Sequence, residues 1–345
     1  KGQRLSVEAE AMRLGHVMFD ASISVLDSKG FEIATCDDTP LLRTDAFLSL
    51  KVPEDGDYRI VIREAAYQGS NGCRYRLHIG DFPRPSAVFP PGGKPGESIE
   101  FTFFGDPSGP IRQRFTLPSH PVGQHPLFPS QHGQSAPSPH WITVSDLETL
   151  NESGDHQSPK SAFAVPAIPV ALQGIVSKPG EEDWFRISCT KGRALELRTA
   201  ARTHRSPLDP VLSLFDSKVK HLQTNDDQGS LDSVIKWTCP GDGDYLLRIR
   251  DHLLRGGESF TYRIEVTDKT PAIAASLPTV ERVKSQKWKT FPVPRGNRYA
   301  AVINVTRTNL SAAATISAES LPTGVSMHAP PVHKASNSTP AVSYT

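Results

Sequence analysis

One stretch of this chain occurs twice. Residues 45–79 align with residues 232–266 without a gap, at a constant offset of 187, and 11 of the 35 pairs are identical. The identical pairs include Pro53/Pro240, Asp55/Asp242, Gly56/Gly243, Asp57/Asp244, Tyr58/Tyr245, Ile62/Ile249, Arg63/Arg250 and Tyr75/Tyr262. Upstream the offset becomes 189, where residues 23–29 align with 212–218 and Asp37-Asp38 aligns with Asp226-Asp227. Lys1-Gly2 aligns with Lys191-Gly192. A repeat constrains a fold strongly, because each copy must bury the same pattern of side chains. The second copy also carries an earlier run, residues 183–189, that the first copy lacks.

The repeated segments read as strands. Tyr245, Leu247 and Ile249 fall on one face and Arg248 and Arg250 on the other; Tyr58, Ile60 and Ile62 alternate with Arg59 and Arg63 in the same way. A period of two marks a sheet with one buried and one wet face. Asp-Gly-Asp before each tyrosine is a turn signal. The chain has 30 Pro and 25 Gly in 345 residues, a content that suits short strands and loops and disfavours long helices. The expected fold is all-β, with tandem β-sandwich or jelly-roll-like modules.

Charge narrows the function classes. Lys and Arg number 38 against 37 Asp and Glu, a net charge of +1. That balance excludes the strong basic field of a nucleic-acid binder. No apolar run is long enough for a membrane span. No signal peptide is visible at Lys1, and both ends read as cut from a larger polypeptide.

The second copy resembles the bacterial pre-peptidase C-terminal domain family. The resemblance rests on an ordered series: Asp183-Trp184-Phe185, Lys191-Gly192, residues 208–216, Asn225-Asp226-Asp227 and residues 240–245. It covers residues 171–268 and, less fully, 1–82. The first copy departs at Cys36, which stands where Asn225 does, and at Phe19-Asp20-Ala21, which replaces Leu208-Asp209-Pro210. The resemblance implies jelly-roll-like accessory sandwiches attached to secreted bacterial enzymes, many of them peptidases. Some members of the family bind collagen and calcium. Two such modules around a Pro-rich insert resemble large exported proteins of planctomycete-type bacteria.

The expected organisation follows from these segments. Residues 1–82 form a sandwich lacking its first strand, and 171–268 form a complete one. Residues 83–148 form a small β module whose opening is similar to immunoglobulin-like modules, with an exposed Pro/His-rich loop over 121–139. Residues 149–170 read as a linker. Residues 269–345 read as a partial further module: a linker at Thr270-Pro271, strands over 288–293 and 299–306, and a turn over 321–325.

Each candidate site has a plainer reading beside it. Asp226, Asp227, Asp242 and Asp244 are candidate ligands for Ca²⁺, which takes six to eight oxygens. Aspartates also form turns through their own side chains. Cys36, Cys73, Cys189 and Cys239 form no CxxC, which excludes a zinc ribbon. Cys189 and Cys239 share the inward parity of their strands and read as a disulfide or as two buried thiols. His120, His125, His132 and His140 read as solvated loop residues and His252 as a lone surface residue. Arg59, Arg63, Arg76, Arg248, Arg250 and Arg263 read as a wet-face stripe. Asn151, Asn304, Asn309 and Asn337 open glycosylation sequons, which matter only in a eukaryotic host. No GxSxG, Walker A, GxGxxG or HExxH motif is present, so catalysis within the chain is not expected. The expected role is a non-catalytic binding or spacer region of an exported bacterial protein. Its place is extracellular, periplasmic or on the cell surface, contacting protein or polysaccharide. The alternative is the accessory region of a secreted peptidase whose catalytic domain lies elsewhere.

Overall fold

The computed structural model describes residues 1–14, 19–227, 230–269, 272–276, 280–281, 287–288, 293–308, 310, 312–318, 321–334 and 336–344. Residues 1–268 form one compact unit and residues 269–345 another. The described residues are nearly all strand and turn, so the all-β expectation holds.

The first unit begins with β1 (Arg4–Glu10), β2 (Ala21–Leu26), β3 (Glu32–Cys36), β4 (Phe47–Lys51), β5 (Arg59–Glu64) and β6 (Arg76–Gly80). These make two sheets, ordered β4-β1-β6 and β3-β2-β5. Val7, Ala9, Ile23 and Val25 fill the space between them. The middle segment contributes β7 (Ala87–Phe89), β8 (Gly92–Gly93), β9 (Ser98–Phe104), β10 (Ile111–Thr116), β11 (Gly123–Leu127), β12 (Ser130–Gln131), β13 (Gln134–Ser135) and β14 (His140–Val144). Sheets β10-β9-β7 and β11-β14-β8 close over Phe101, Phe103, Ile142 and Val144.

The third part contributes β15 (Thr149–Asn151), β16 (Phe163–Ala164), β17 (Val170–Ile175), β18 (Glu182–Cys189), β19 (Ala194–Ala200), β20 (Pro210–Asp216), β21 (His221–Asn225), β22 (Val234–Thr238), β23 (Gly243–Asp251) and β24 (Thr261–Asp268). Its sheets run β15-β17-β24-β19-β22 and β16-β18-β23-β20-β21. The largest core of the molecule lies between them, with Phe185, Ile187, Leu212, Leu214, Leu247 and Ile249 facing inward.

The sequence repeat and the strand order agree in detail. The β22-β19-β24 and β21-β20-β23 trios have the order of β4-β1-β6 and β3-β2-β5. An irregularity of register falls between Val25 and Leu26 in the first part and between Leu214 and Phe215 in the third. These are equivalent positions at the offset of 189, and a bulge there re-aims the strand in the same way each time. Asp45 accepts the backbone N–H groups of Ala11, Met12 and Arg13, capping the 3-10 turn Met12–Leu14. Asp232 does the same for Ala201, Arg202 and Thr203 at the turn Arg202–His204. Two full strands, β17 and β18, extend the third part beyond what residues 1–80 contain, where the sequence pointed to one.

Several local expectations change. Residues 149–170 are not a free linker: β15 and β16 add parallel edges to the two sheets of the third part, because their backbone groups pair with β17 and β18. The stretch 121–139 is an exposed loop only in part: β11 pairs with β14 and buries Leu127, while His132 stays exposed at the turn between β12 and β13. His140 is 1% exposed, against the ring of Phe103. Arg263 is 0% exposed, because the middle segment covers that face of β24 and Ser145 accepts its guanidinium at 2.8 Å. Arg84 is likewise fully buried, 2.6 Å from Glu8 and stacked over Phe47 at 4.6 Å. All four cysteines are free thiols, and Cys189 and Cys239 are buried in the core of the third part. Burial and the neighbouring Cys239 push the Cys189 thiol up to about 11.

The second unit contributes β25 (Ala272–Ser276), β26 (Val280–Glu281), β27 (Lys287–Trp288), β28 (Arg298–Thr308), β29 (Ser326–His328) and β30 (Ser338–Tyr344). Its main sheet runs β25-β28-β30-β29, and Ile303 and Val305 are buried. The strand expected over 299–306 is β28, and Val325 N bonds to Pro322 O in the expected turn. Thr270, Pro271, residues 289–292, Asn309 and Ser311 lie outside the described residues. No helix among the described residues is long and apolar enough to cross a membrane.

Candidate functional site

A cluster of ionisable groups lies where the segment after β15 crosses the end of β17, β18 and β24. Glu152 follows β15 directly, and its backbone N–H bonds to Gln173 O at 2.8 Å. Gly154, at φ 76°, turns the chain back. His156 is then fixed by Trp184 N–H, which donates to its carbonyl at 2.9 Å. Asp183 on β18 and Tyr262 on β24 supply the other side chains, both 0% exposed. Gly174 on β17 makes the room, since a Cβ there would lie 2.0 Å from Glu152 Oε2 and 2.3 Å from Tyr262 Oη.

The donor atoms of Glu152, His156 and Asp183 lie within 4.8 Å of one another. His156 Nε2 is 3.0 Å from Glu152 Oε2 and 3.4 Å from Asp183 Oδ1. Tyr262 Oη touches Glu152 Oε2 and lies 2.8 Å from Asp183 Oδ2. Glu152 Oε1 accepts Ile175 N–H at 2.7 Å. His156 Nδ1 lies 2.9 Å from Gly154 O, and a carbonyl only accepts, so Nδ1 carries the hydrogen. Asp183 Oδ1 is buried and has no hydrogen-bond partner.

Burial and the contacts set the direction in which each group titrates. The carboxylate of Glu152 raises the His156 pKa, so Nε2 is protonated and donates to Glu152. Burial, then the charge of Glu152, raises the Asp183 pKa. A phenol has one hydrogen and cannot donate to two carboxylates, so a neutral Asp183 resolves its contact with Tyr262. Imidazolium, carboxylate and carboxylic acid together are neutral. A divalent cation displacing both protons would leave the total charge unchanged.

The donor set tests which cation fits. Ca²⁺ wants six to eight oxygens, whereas this cluster offers an imidazole nitrogen, two carboxyls and a phenol. Bonds of about 2.1 Å in a tetrahedron place donors about 3.4 Å apart, close to the 3.0 and 3.4 Å seen here. The bond from Nδ1 to a backbone carbonyl is the usual support of a metal-bound histidine. The residues fit a small ion of the zinc type and do not fit calcium.

The acidic residues singled out by sequence sit elsewhere and apart. Asp226 bonds to His252 Nδ1 at 2.8 Å, so His252 is not a lone surface residue. Asp227 accepts Ser230 N–H through its backbone. At the far end of β23, Asp242 accepts Lys191 N–H at 2.6 Å and Asp244 accepts the Ser188 hydroxyl at 2.6 Å. Asp244 and Asp251 are seven residues apart on one strand, a separation on the order of 20 Å. The four carboxylates therefore do not converge. Asp183 was visible within Asp183-Trp184-Phe185, but Glu152 and His156 stand in a polar stretch with no motif that pairs them with it.

No family model matches the chain. A probable subtilase-type serine protease of Deinococcus radiodurans is 37% identical over 79 residues, 23% of this chain and 11% of that protease. The chain thus spans about a tenth of its curated relative. Among solved structures, the pre-peptidase C-terminal domain of a Bacillus anthracis collagenase matches with a TM-score of 0.26 at 11% identity, over 31% of this chain and 94% of that domain. A Clostridium perfringens M60 catalytic domain with two CBM51 domains matches with a TM-score of 0.21 at 8% identity, over 77% of this chain and 32% of that one.

Proposed function

We propose that this chain is a non-catalytic accessory region of an exported bacterial hydrolase of the subtilase type, whose catalytic domain lies outside residues 1–345. The carrying observation is the 79-residue match at 37% identity to a subtilase-type protease. The polar constellations of the first unit support the reading, since they have structural tasks. Arg84, Arg263 and Asp45 fasten segments to one another, and His204 bonds Thr143 at 2.7 Å. The Glu152, His156, Asp183 and Tyr262 cluster fastens residues 152–164 across the end of a sandwich. Small sandwiches present their loops at their ends, where surface varies without cost to the core. The region then spaces the catalytic domain and holds it near protein or polysaccharide outside the cell.

The test has two arms. Residues 1–345 alone should hydrolyse neither fluorogenic peptides nor casein. In the full-length protein, deletion of residues 1–268 should leave turnover of short peptides unchanged and reduce retention on macromolecular substrate. Turnover by residues 1–345 alone overturns the reading. So does a full-length chain built only of further β modules.

A further inference from the structure

An open groove of about 760 Å³ lies between the first and third parts of the compact unit. Four arginines line it: Arg43 from the loop before β4, and Arg202, Arg205 and Arg255 from the third part. Two are engaged by acids. Arg202 lies 3.3 Å from Asp209, and Arg255 lies 2.9 Å from the buried Asp251. Among the described residues Arg43 and Arg205 make no ion pair, and Asp38 and Asp209 are the only acids that line the groove. Burial, then the like charge of Arg43, lowers the Arg205 pKa, and its Nε is buried without a hydrogen-bond partner. Both residues have left-handed backbones, at φ 66° and 69°, which non-glycine residues seldom adopt. Leu231 and Leu253, 51% and 66% exposed, form apolar shoulders.

We propose that this groove binds an acidic peptide segment, with a carboxylate between Arg43 and Arg205 and an apolar side chain against Leu231 and Leu253. A guanidinium fork matches a carboxylate with two parallel hydrogen bonds. A carboxylate there relieves the repulsion between the two arginines. The leucines and the absence of any aromatic ring among the lining residues favour a peptide over a sugar chain. The groove stands on its own geometry, whatever enzyme the chain accompanies.

The test uses residues 1–345 and fluorescence anisotropy of a labelled peptide of alternating Glu and Leu. A Gln and Leu counterpart and polygalacturonate serve as comparison ligands. The Glu peptide should bind, bind less tightly as salt rises, and lose about tenfold in affinity in Arg43→Gln and in Arg205→Gln. Arg59→Gln, on an exposed strand position away from the groove, should bind as the parent does. Arg43 is exposed, so Arg43→Gln keeps the test valid if Arg205→Gln fails to fold. The proposal is overturned if the Glu peptide does not bind, if the Gln peptide binds equally, or if Arg43→Gln leaves affinity intact. Binding of polygalacturonate without the peptide also overturns it and makes the groove a glycan site.

Discussion

Gly174 shows how one residue admits a charged cluster. A methyl group there would lie well inside van der Waals contact with Glu152 and with the fully buried Tyr262, so the cluster would have to shift. Gly174→Ala should therefore destabilise the protein by about 1–3 kcal/mol in urea unfolding. Gly241→Ala, where an added Cβ meets nothing within 4 Å, should cost far less. The same cluster gives a second expectation. Zn²⁺ added to metal-free protein should raise the melting temperature and release protons, as any ligand confined to the native state does. Ca²⁺ should do neither, and Asp183→Asn should abolish the Zn²⁺ effect while leaving a folded protein. A melting temperature indifferent to Zn²⁺ would reduce the cluster to a proton-held fastening. None of this was legible in the sequence, because Glu152 and His156 meet Asp183 only after the chain crosses the sandwich end.

At the scale of elements, two buried aspartates do equivalent work in the repeated parts. Asp45 and Asp232 each hold three backbone N–H groups that would otherwise be orphaned at the start of a 3-10 turn. Asp232→Ala should cost about 1–3 kcal/mol, since buried donors left without acceptors lose their full solvation. Asp45→Ala should cost at least as much, because Arg13 also bonds this carboxylate. Equal stability of Asp232→Ala and the parent in denaturant would refute the capping role. The two aspartates open the aligned stretches at the offset of 187, but nothing in the sequence set them apart from the other identical pairs. The reason for the identity, three amides at one carboxylate, needed the folded turn. The edge strands β15 and β16 were not legible either. Thr149-Leu150-Asn151 and Phe163-Ala164 are too short to show a period, and they exist because sheets offer them open edges.

At the scale of the whole molecule, buried cations and neutral histidines fasten the middle segment to its neighbours. Burial lowers the Arg84 pKa to about 10, so it remains charged at neutral pH beside Glu8. Arg84→Ala leaves Glu8 Oε2 without its cation while Arg13 and Ser138 still hold Oε1, and should cost about 1–3 kcal/mol. Limited proteolysis should then cut first within residues 83–148. His204 is held neutral, its pKa lowered to about 3 by burial and then by Arg263. The unfolded chain accepts that proton near pH 6.5 and the folded one refuses it. Stability is thus full above pH 6.5 and falls as pH drops toward 3, by up to about 1.4 kcal/mol per pH unit. His204→Gln should flatten that acid limb when unfolding is compared at pH 7 and pH 5. An unchanged slope would show that His204 does not carry it.

The sequence by itself determined the all-β class, the repeat and the strand phases, because a period of two belongs to neighbouring residues and a repeat is a likeness between two stretches of chain, and neither needs a fold to be read. It also marked Asp226, Asp242 and Asp244 as turn residues, but their partners His252, Lys191 and Ser188 lie 26 to 56 residues away and only the fold brings them together. The tertiary structure decided everything that depends on distant segments meeting. Arg263 and His140 read as solvated until another part of the chain covered them. The convergence of Glu152, His156, Asp183 and Tyr262, and the facing of Arg43 and Arg205, are set by packing between parts of the chain. Such packing leaves no periodic trace along it, so only the folded molecule shows which charges share a site.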